Sequence, residues 1–308
     1  YRDFAHLETP IIGSLTEASR IATNVYQVME AARGKDILFF PARFAHYKLQ
    51  ALHGYAYSLG VNAYNEDYGQ NMTRYVSTDE QGVWWGGKGG GTISHSYIAT
   101  FLGDTTEAML QFSRLMPTEV NRIALVDFDN DCVNTTLKLL KAMFDKYIEY
   151  KEAGKEEEAS KYKLFGVRPD NSSSLRDKSI EPLGDKKLDN GVNARLVFKL
   201  RKEIDRAYKD WVLKENRVEE AKKFCEDVKI IATGGFKPKK IREFEESQVP
   251  VDIYGVGSWL LSNSSVEGTK NDFTADVVKV KKNGEWIDMA KVGRQACDNE
   301  CLDVVTEY

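Results

Sequence analysis

Between Val228 and Leu261 the chain reads VKIIATGGFKPKKIREFEESQVPVDIYGVGSWLL. Two apolar runs, Val228–Thr233 and Val251–Tyr254, each end in glycines: Gly234-Gly235 after the first, Gly255-Val256-Gly257 after the second. A helical segment led by Pro238 separates them. Glycine lets a ligand approach the backbone, and free N–H groups beside a helix start attract anions. Two such corners in successive strand–helix units are expected of the phosphate-binding end of a (β/α) barrel, where the last two loops meet. The alternative reading is that these glycines only permit tight strand-to-helix turns.

Strand-like runs recur at Ile37–Phe40, Val61–Tyr64, Thr92–Ser94, Ile123–Phe128 and Leu164–Val167, besides the two just named. Helix-patterned segments lie between most of them. The clearest are Leu7–Arg33, Tyr47–Leu59, Val192–Trp211 and Cys132–Ala153, the last with Leu137, Leu140, Met143, Phe144 and Ile148 at helical spacing. Alternating strands and helices without hairpin signals predict parallel pairing. The fold class expected is α/β: an incomplete (β/α) TIM-like barrel of about seven strands. Lys151–Lys163 and Glu181–Gly191 read as solvated helix-end and loop segments. After Leu261 the pattern changes, and Asn283-Gly284 between alternating residues predicts a β-hairpin.

With 308 residues the chain can bury an ample core, and its 42% hydrophobic and 29% charged residues are ordinary. A net charge of −4 gives no basic excess that would favour nucleic acid. No apolar run approaches the ~20 residues that cross a bilayer, and no secretory leader opens the sequence. Four scattered cysteines, Cys132, Cys225, Cys297 and Cys301, are too few for a disulfide framework, so a reducing, cytoplasmic setting is expected. Cys297 and Cys301 form at most a weak zinc pair. The chain opens on Tyr1 rather than Met and in mid-stride, as a fragment lacking an upstream portion would.

Polar residues cluster where the predicted strands end, the catalytic face of a barrel. Pro41-Ala42-Arg43 follows the first run, Ser94-His95-Ser96 follows Gly90-Gly91-Thr92, Asp127-Phe128-Asp129 follows Ile123–Val126, and Arg168-Pro169-Asp170 follows Leu164–Val167. A shared cleft is one reading; salt bridges that plug the barrel end are the other. His95 after the glycine run is a candidate to act on a phosphate held by free N–H groups, although a lone histidine is more often structural. Asp127, Asp129 and Asp170 are candidates to hold Mg²⁺ together with substrate phosphate. Arg43 and Arg168 can pair with carboxylate or phosphate. These residues point to an anionic, Mg²⁺-complexed phosphate substrate and leave the reaction open.

Five segments, FFPARFAHY (39–47), VSTDEQGVWWGGKGGGTISHS (76–96), RIALVDFDND (122–131), LFGVRPDNSSSLRDKS (164–179) and TGGFKPKKIREFEESQVPVDIYGVGSWLL (233–261), resemble the nicotinate phosphoribosyltransferase family, in that family's order and at similar spacing. The likeness is greatest to its shorter, archaeal-like branch. The resemblance implies a type II phosphoribosyltransferase: an open-faced α/β sandwich joined to the incomplete barrel, dimeric, with sites near the interface. It implies residues 1–36 as the remainder of the N-terminal sandwich, 37–262 as the barrel, and 263–308 as a C-terminal hairpin returning to the sandwich. By domain size, roughly a hundred residues would precede Tyr1.

The implied reaction joins nicotinate to phosphoribosyl pyrophosphate, giving nicotinate mononucleotide and pyrophosphate in NAD biosynthesis, a ligase-type glycosyl transfer coupled to ATP through a phosphohistidine. His95 stands at that histidine's place and Thr92 in the same GT-x-x-H motif. Arg43 matches the arginine facing the nicotinate carboxylate, with Phe40, Phe44 and Tyr47 available to line a pyridine pocket or the core. Arg168 and Asp170 match the family's Arg–x–Asp at ribose and pyrophosphate. Gly234, Gly235, Gly255 and Gly257 would cradle the 5′-phosphate. Mg²⁺ is the implied cofactor, with Asp127 and Asp129 its candidate ligands. Ser94 and the NSSS stretch depart from the family pattern. Quinolinate or nicotinamide as the base, or a truncated phosphate-binding paralogue without activity, are the alternatives.

Overall fold

A computed structural model describes residues 2–264, 269–271, 273–274 and 276–295. Cys297 and Cys301 lie outside the described residues. The chain divides into two compact units: residues 18–270, and the two chain ends, 1–17 with 271–308.

The larger unit is built on six parallel strands. In chain order the helices and strands run α1 (Arg2–Ala32, from Ala18 onward in this unit), β1 (Asp36–Phe39), α2 (Gln50–Tyr68), β2 (Tyr75–Val76), α3 (His95–Ala99), α4 (Thr105–Leu115) and β3 (Ile123–Leu125). There follow α5 (Cys132–Glu152), α6 (Glu156–Ser160), β4 (Gly166–Arg168), α7 (Lys186–Asp189), α8 (Ala194–Arg206), α9 (Val218–Glu226), β5 (Lys229–Ala232), α10 (Pro238–Glu246) and β6 (Ile253–Val256). The strands lie in the order β2-β1-β6-β5-β4-β3, and every pairing is parallel. The sheet is a curled half-barrel, consistent with an incomplete TIM-like barrel.

The strand number corrects the expectation of seven. Val61–Tyr64 belongs to α2, where Ala56, Tyr57, Val61 and Tyr64 are buried at helical spacing. A four-residue apolar run cannot tell a buried helix face from a strand. Thr92–Ser94 forms no strand either. The preceding glycines take the edge position instead: Gly89 bridges to Val76, and the Gly90 N–H donates to the Val76 carbonyl at 2.9 Å. The sixth strand, Tyr75–Val76, has no sequence signature because only two residues pair with β1. Its place is set by Tyr57, whose fully buried hydroxyl donates to the Ile37 carbonyl and accepts from the Tyr75 N–H, each at 2.9 Å.

The core forms where helices cover the outer face of the sheet. From α5 come Val133, Leu139, Leu140, Met143 and Phe144, and from α8 Leu196, Val197, Leu200 and Ile204, all buried in one cluster with Phe39, Val167, Ile230 and Tyr254 of the strands. That spacing is one stripe of an amphipathic helix. Starts and stops are local: Asn193 caps α8 by accepting the Leu196 N–H, Asp131 caps α5, and Pro238 opens α10. Two glycines let α2 dock. A Cβ on Gly60 would meet the Ala22 carbonyl at 2.5 Å, and one on Gly54 the Gln81 carbonyl at 1.8 Å. Among the described residues no helix is long and apolar enough to cross a membrane.

In the other unit β7 (Lys279–Lys282) and β8 (Glu285–Asp288) pair antiparallel. Asn283 and Gly284 both have positive φ, 54° and 90°, as a two-residue turn of this kind requires.

The Gly54 contact is with rigid backbone, so Gly54→Ala is expected to lower unfolding free energy by ~1–3 kcal/mol or more. Urea unfolding checks this: the midpoint should fall while the slope stays unchanged.

Candidate functional site

Parallel pairing aligns the carboxyl ends of the strands, and a cavity of about 380 Å³ opens there. Arg43, just beyond β1, lies on its wall with Phe40 and Phe44. Thr92 and His95 enter from the glycine-rich segment, and Arg168 and Asp170 from the end of β4. The turn after β5 brings Gly234 and Gly235 to the same space, and the end of β6 brings Gly255 and, just beyond it, Gly257. Of the aromatic candidates, Tyr47 lies off the cavity, 69% exposed. Asp127 and Asp129 are not on its wall. Asp127 reaches it through His95, whereas Asp129 is exposed and its carbonyl accepts from Lys178 Nζ.

His95 begins α3, behind Ser94, whose Oγ accepts the Tyr97 N–H as the helix cap. Its imidazole is half-exposed and its Nε2 lies 3.0 Å from Asp127 Oδ2. The Asp127 side chain is 7% exposed, and its Oδ1 is buried without a hydrogen-bond partner among the described residues. Burial pushes the Asp127 carboxyl above the usual carboxylate range; the hydrogen bond from His95 pulls it back, and the charge of Asp170 adds to the push. An ionised Asp127 next to His95 selects the tautomer that carries the proton on Nε2, leaving Nδ1 with its lone pair.

Arg168 is buried at the end of β4. Nη2 donates to the Ile93 carbonyl at 2.7 Å, Nη1 to Thr233 Oγ1 at 3.4 Å, and Nη1 lies 3.5 Å from Asp170 Oδ2. Thr233 Oγ1 in turn is 2.7 Å from Asp170 Oδ1. Burial lowers the Arg168 pKa, Asp170 and Asp127 oppose that shift, and Arg43 reinforces it by like-charge repulsion. Among the described residues Arg43 meets no carboxylate; it rests 5.0 Å over the Phe44 ring. Two guanidiniums facing one cavity, one without a counter-ion, make that cavity a site for an anion.

The four glycines are required for two different reasons. Gly234 and Gly235 have positive φ, 91° and 69°, which side chains rarely adopt. Gly255 and Gly257 are needed for close approach: a Cβ on Gly255 would meet Thr233 Cγ2 at 2.5 Å, and one on Gly257 the Phe44 ring at 3.1 Å. Both the turn-forming and the anion-cradling readings of these glycines therefore share one geometry.

Thr233, Ser77 and Ser258 also reach the cavity and are not among the site candidates the sequence suggested. Thr233 could have been found from its place directly before Gly234-Gly235. Ser77 could not, because it follows the two-residue β2. It is fixed by Gln81, fully buried, whose Oε1 accepts from Ser77 N–H and Oγ and from Thr78 N–H. A larger cavity of about 480 Å³ lies inside the curl of the sheet, walled mainly by apolar side chains such as Leu38, Ile123, Phe165 and Ile253. Its charged lining is Glu119 and Arg168, the latter shared with the smaller cavity, where Arg43, His95 and Asp170 gather as well; the smaller cavity is therefore the candidate site.

No protein-family model and no curated protein matches this chain. Solved structures do. Nicotinate-nucleotide pyrophosphorylase from Pyrococcus furiosus is similar over 91% of this chain and 54% of its own, with a TM-score of 0.59 and 25% identity. Human nicotinic acid phosphoribosyltransferase matches more weakly, over 82% of this chain and 49% of its own, with a TM-score of 0.46 and 15% identity, too distant to carry a conclusion. The chain thus spans about half the length of these two solved structures. Its architecture is type II phosphoribosyltransferase-like.

Proposed function

We propose that this chain carries the barrel of an NAD-biosynthetic phosphoribosyltransferase that joins nicotinate to phosphoribosyl pyrophosphate, releasing pyrophosphate, with ATP coupled through His95. The observation that supports this reading most is the cavity at the strand ends, where two guanidiniums, His95 backed by Asp127, Asp170 and two glycine corners open onto one space. The likeness to a nicotinate-nucleotide pyrophosphorylase supports the class of reaction.

In this reading Gly234 and Gly235 receive the 5′-phosphate, Asp170 the ribose and pyrophosphate, and Arg43 the nicotinate carboxylate between Phe40 and Phe44. Displacement of pyrophosphate builds positive charge on the ribose C1 and negative charge on the departing oxygens. Fixed geometry and cationic neutralisation of the leaving group are therefore the enzyme's main tools. Mg²⁺ would enter with the substrate and neutralise pyrophosphate. Among the described residues no three His, Cys, Asp or Glu side chains converge to hold a metal ion. Asp170, or the partnerless Asp127 Oδ1, fits such an ion only when phosphate oxygens complete its shell, which is the habit of Mg²⁺. Asp129 fits poorly because it lies off the cavity wall, exposed. With its Nε2 proton held by Asp127, His95 offers Nδ1 to the γ-phosphorus of ATP. The N–P bond forms as the β–γ P–O bond breaks and ADP leaves.

Two guanidiniums in one cavity also suit a base with two carboxylates, quinolinate. The purified protein, given phosphoribosyl pyrophosphate and Mg²⁺ with nicotinate, quinolinate or nicotinamide, decides the matter. Nicotinate mononucleotide should form, faster with ATP, and His95→Ala should abolish the ATP stimulation and lower kcat by ~10²-fold or more. Turnover of quinolinate with release of carbon dioxide, and none of nicotinate, would reject the choice of base.

A charge near the glycine corner gives a second test. Lys240 is held over the Phe236 ring, 4.1 Å from its centroid, and its Nζ donates to the Gly234 carbonyl at 3.4 Å. Burial lowers its pKa to about 8, partly opposed by Glu243. A phosphomonoester, with its second pKa near ~6, is already dianionic there. Affinity for ribose 5-phosphate should fall severalfold as pH rises through about 8, where Lys240 loses its proton. Lys240→Met should flatten that profile in calorimetric titrations. By linkage, the unfolded chain binds the extra proton between about 8 and 10.5, so the ligand-free protein should gain stability across that window.

A further inference from the structure

The loops that follow β3 and β4 are cross-linked behind the cavity by a buried polar cluster that the reaction itself does not use. Asp177 is fully buried. Its Oδ2 accepts the Cys132 N–H at 3.0 Å and Asn171 Nδ2 at 2.9 Å, and its Oδ1 accepts the Ser179 N–H at 2.8 Å and the Ser179 hydroxyl. Asn171, 3% exposed, spends its second amide hydrogen on Asn130 Oδ1 at 3.0 Å, and its own Oδ1 accepts the Cys132 thiol at 3.2 Å. Asn130 closes the circuit by donating to the Arg176 carbonyl at 2.7 Å, while its own carbonyl accepts the Lys178 N–H at 2.9 Å.

The cluster sits directly beside the acidic groups of the site. Asn171 follows Asp170, and Asn130 closes the turn that begins at Asp127, donating its N–H to the Asp127 carbonyl at 2.9 Å. Gly234 packs against the same segment, with a virtual Cβ only 3.3 Å from the Asn171 carbonyl and 3.4 Å from Asp170 Oδ1. A buried carboxylate is costly unless hydrogen-bonded, and only an acceptor-only group can satisfy four converging donors. Asparagine at 177 would set N–H against N–H.

We propose that Asn130, Asn171 and Asp177 are positioning residues: a latch that holds the Asp127 and Asp170 loops at the spacing needed to bind the ribosyl pyrophosphate part of the substrate. This rests on the phosphoribosyltransferase reading, and neither Asn130 nor Asp177 touches the reacting atoms.

Two variants test it. Asn130 has φ +54°, a conformation glycine adopts freely, so Asn130→Gly removes both side-chain cross-links while keeping the turn. Asp177→Asn breaks the hub and risks the fold, so Asn130→Gly is the decisive variant. Calorimetry with Mg²⁺–phosphoribosyl pyrophosphate and with inorganic phosphate separates positioning from general damage. Asn130→Gly should melt within a few degrees of the unaltered protein, bind inorganic phosphate within twofold, and bind phosphoribosyl pyrophosphate at least tenfold more weakly. Asn130→Ser, keeping one hydrogen-bonding group, should recover part of that loss. Equal binding of phosphoribosyl pyrophosphate by Asn130→Gly and the unaltered protein would overturn the latch alone, as would parallel loss of both ligands. No binding by the unaltered protein would overturn the functional reading and the latch with it.

Discussion

The Arg168 guanidinium is the tie on which the rest of the candidate site depends. It is a charge buried at the end of a strand, and such a charge is tolerated only where hydrogen bonds and a counter-ion compensate its lost hydration. Its partners come from three separate parts of the chain: the Ile93 carbonyl in the glycine-rich segment, Asp170 two residues on, and Thr233 at the end of β5. Satisfying one side chain therefore places the segment leading to His95, the acidic loop after β4 and the glycine corner after β5 against one another. The same arrangement leaves positive charge facing the cavity, since Arg43 also lines it and, among the described residues, meets no carboxylate.

Around that tie the site divides by rigidity. The glycine corners belong to β5 and β6, central strands paired on both sides and packed beneath α10, where Ile241 and Phe244 are buried. They suit the part of a ligand that must be gripped the same way throughout a reaction. His95 lies on the short α3, half-exposed, with Asp127 behind it as the group that orients its ring. An exposed imidazole beside a buried carboxylate suits a residue that changes its covalent state and needs one ring nitrogen held.

Much of the fold was legible because it follows from local pattern. The apolar runs at Ile37, Ile123, Leu164, Val228 and Val251 each contain or adjoin an observed strand, and the long stripes of α5 and α8 are where helical spacing puts them. The misread segments have a common physical cause. In Val61–Tyr64 a run of four residues looks alike in a strand and in a helix buried against α1. In β2 two paired residues leave no period at all, and their position depends on the Tyr57 hydroxyl from another element. The glycine run at Gly89–Gly91 occupies a strand-like edge with no side chains to announce it.

Residue type and order alone determined a βα chain with glycine corners, a histidine after a glycine run, and arginines and aspartates at strand ends. These are consequences of backbone freedom and of the cost of charge inside a strand, both readable one residue at a time. Only the tertiary structure decided that His95 meets Asp127 across 32 positions, that Thr233 links Arg168 to Asp170, and that the Asn-Ser-Ser-Ser stretch opens the Asn171–Asp177 cluster. Those pairings depend on which strands lie side by side, and strand order is set by the packing of the whole sheet rather than by any segment within it.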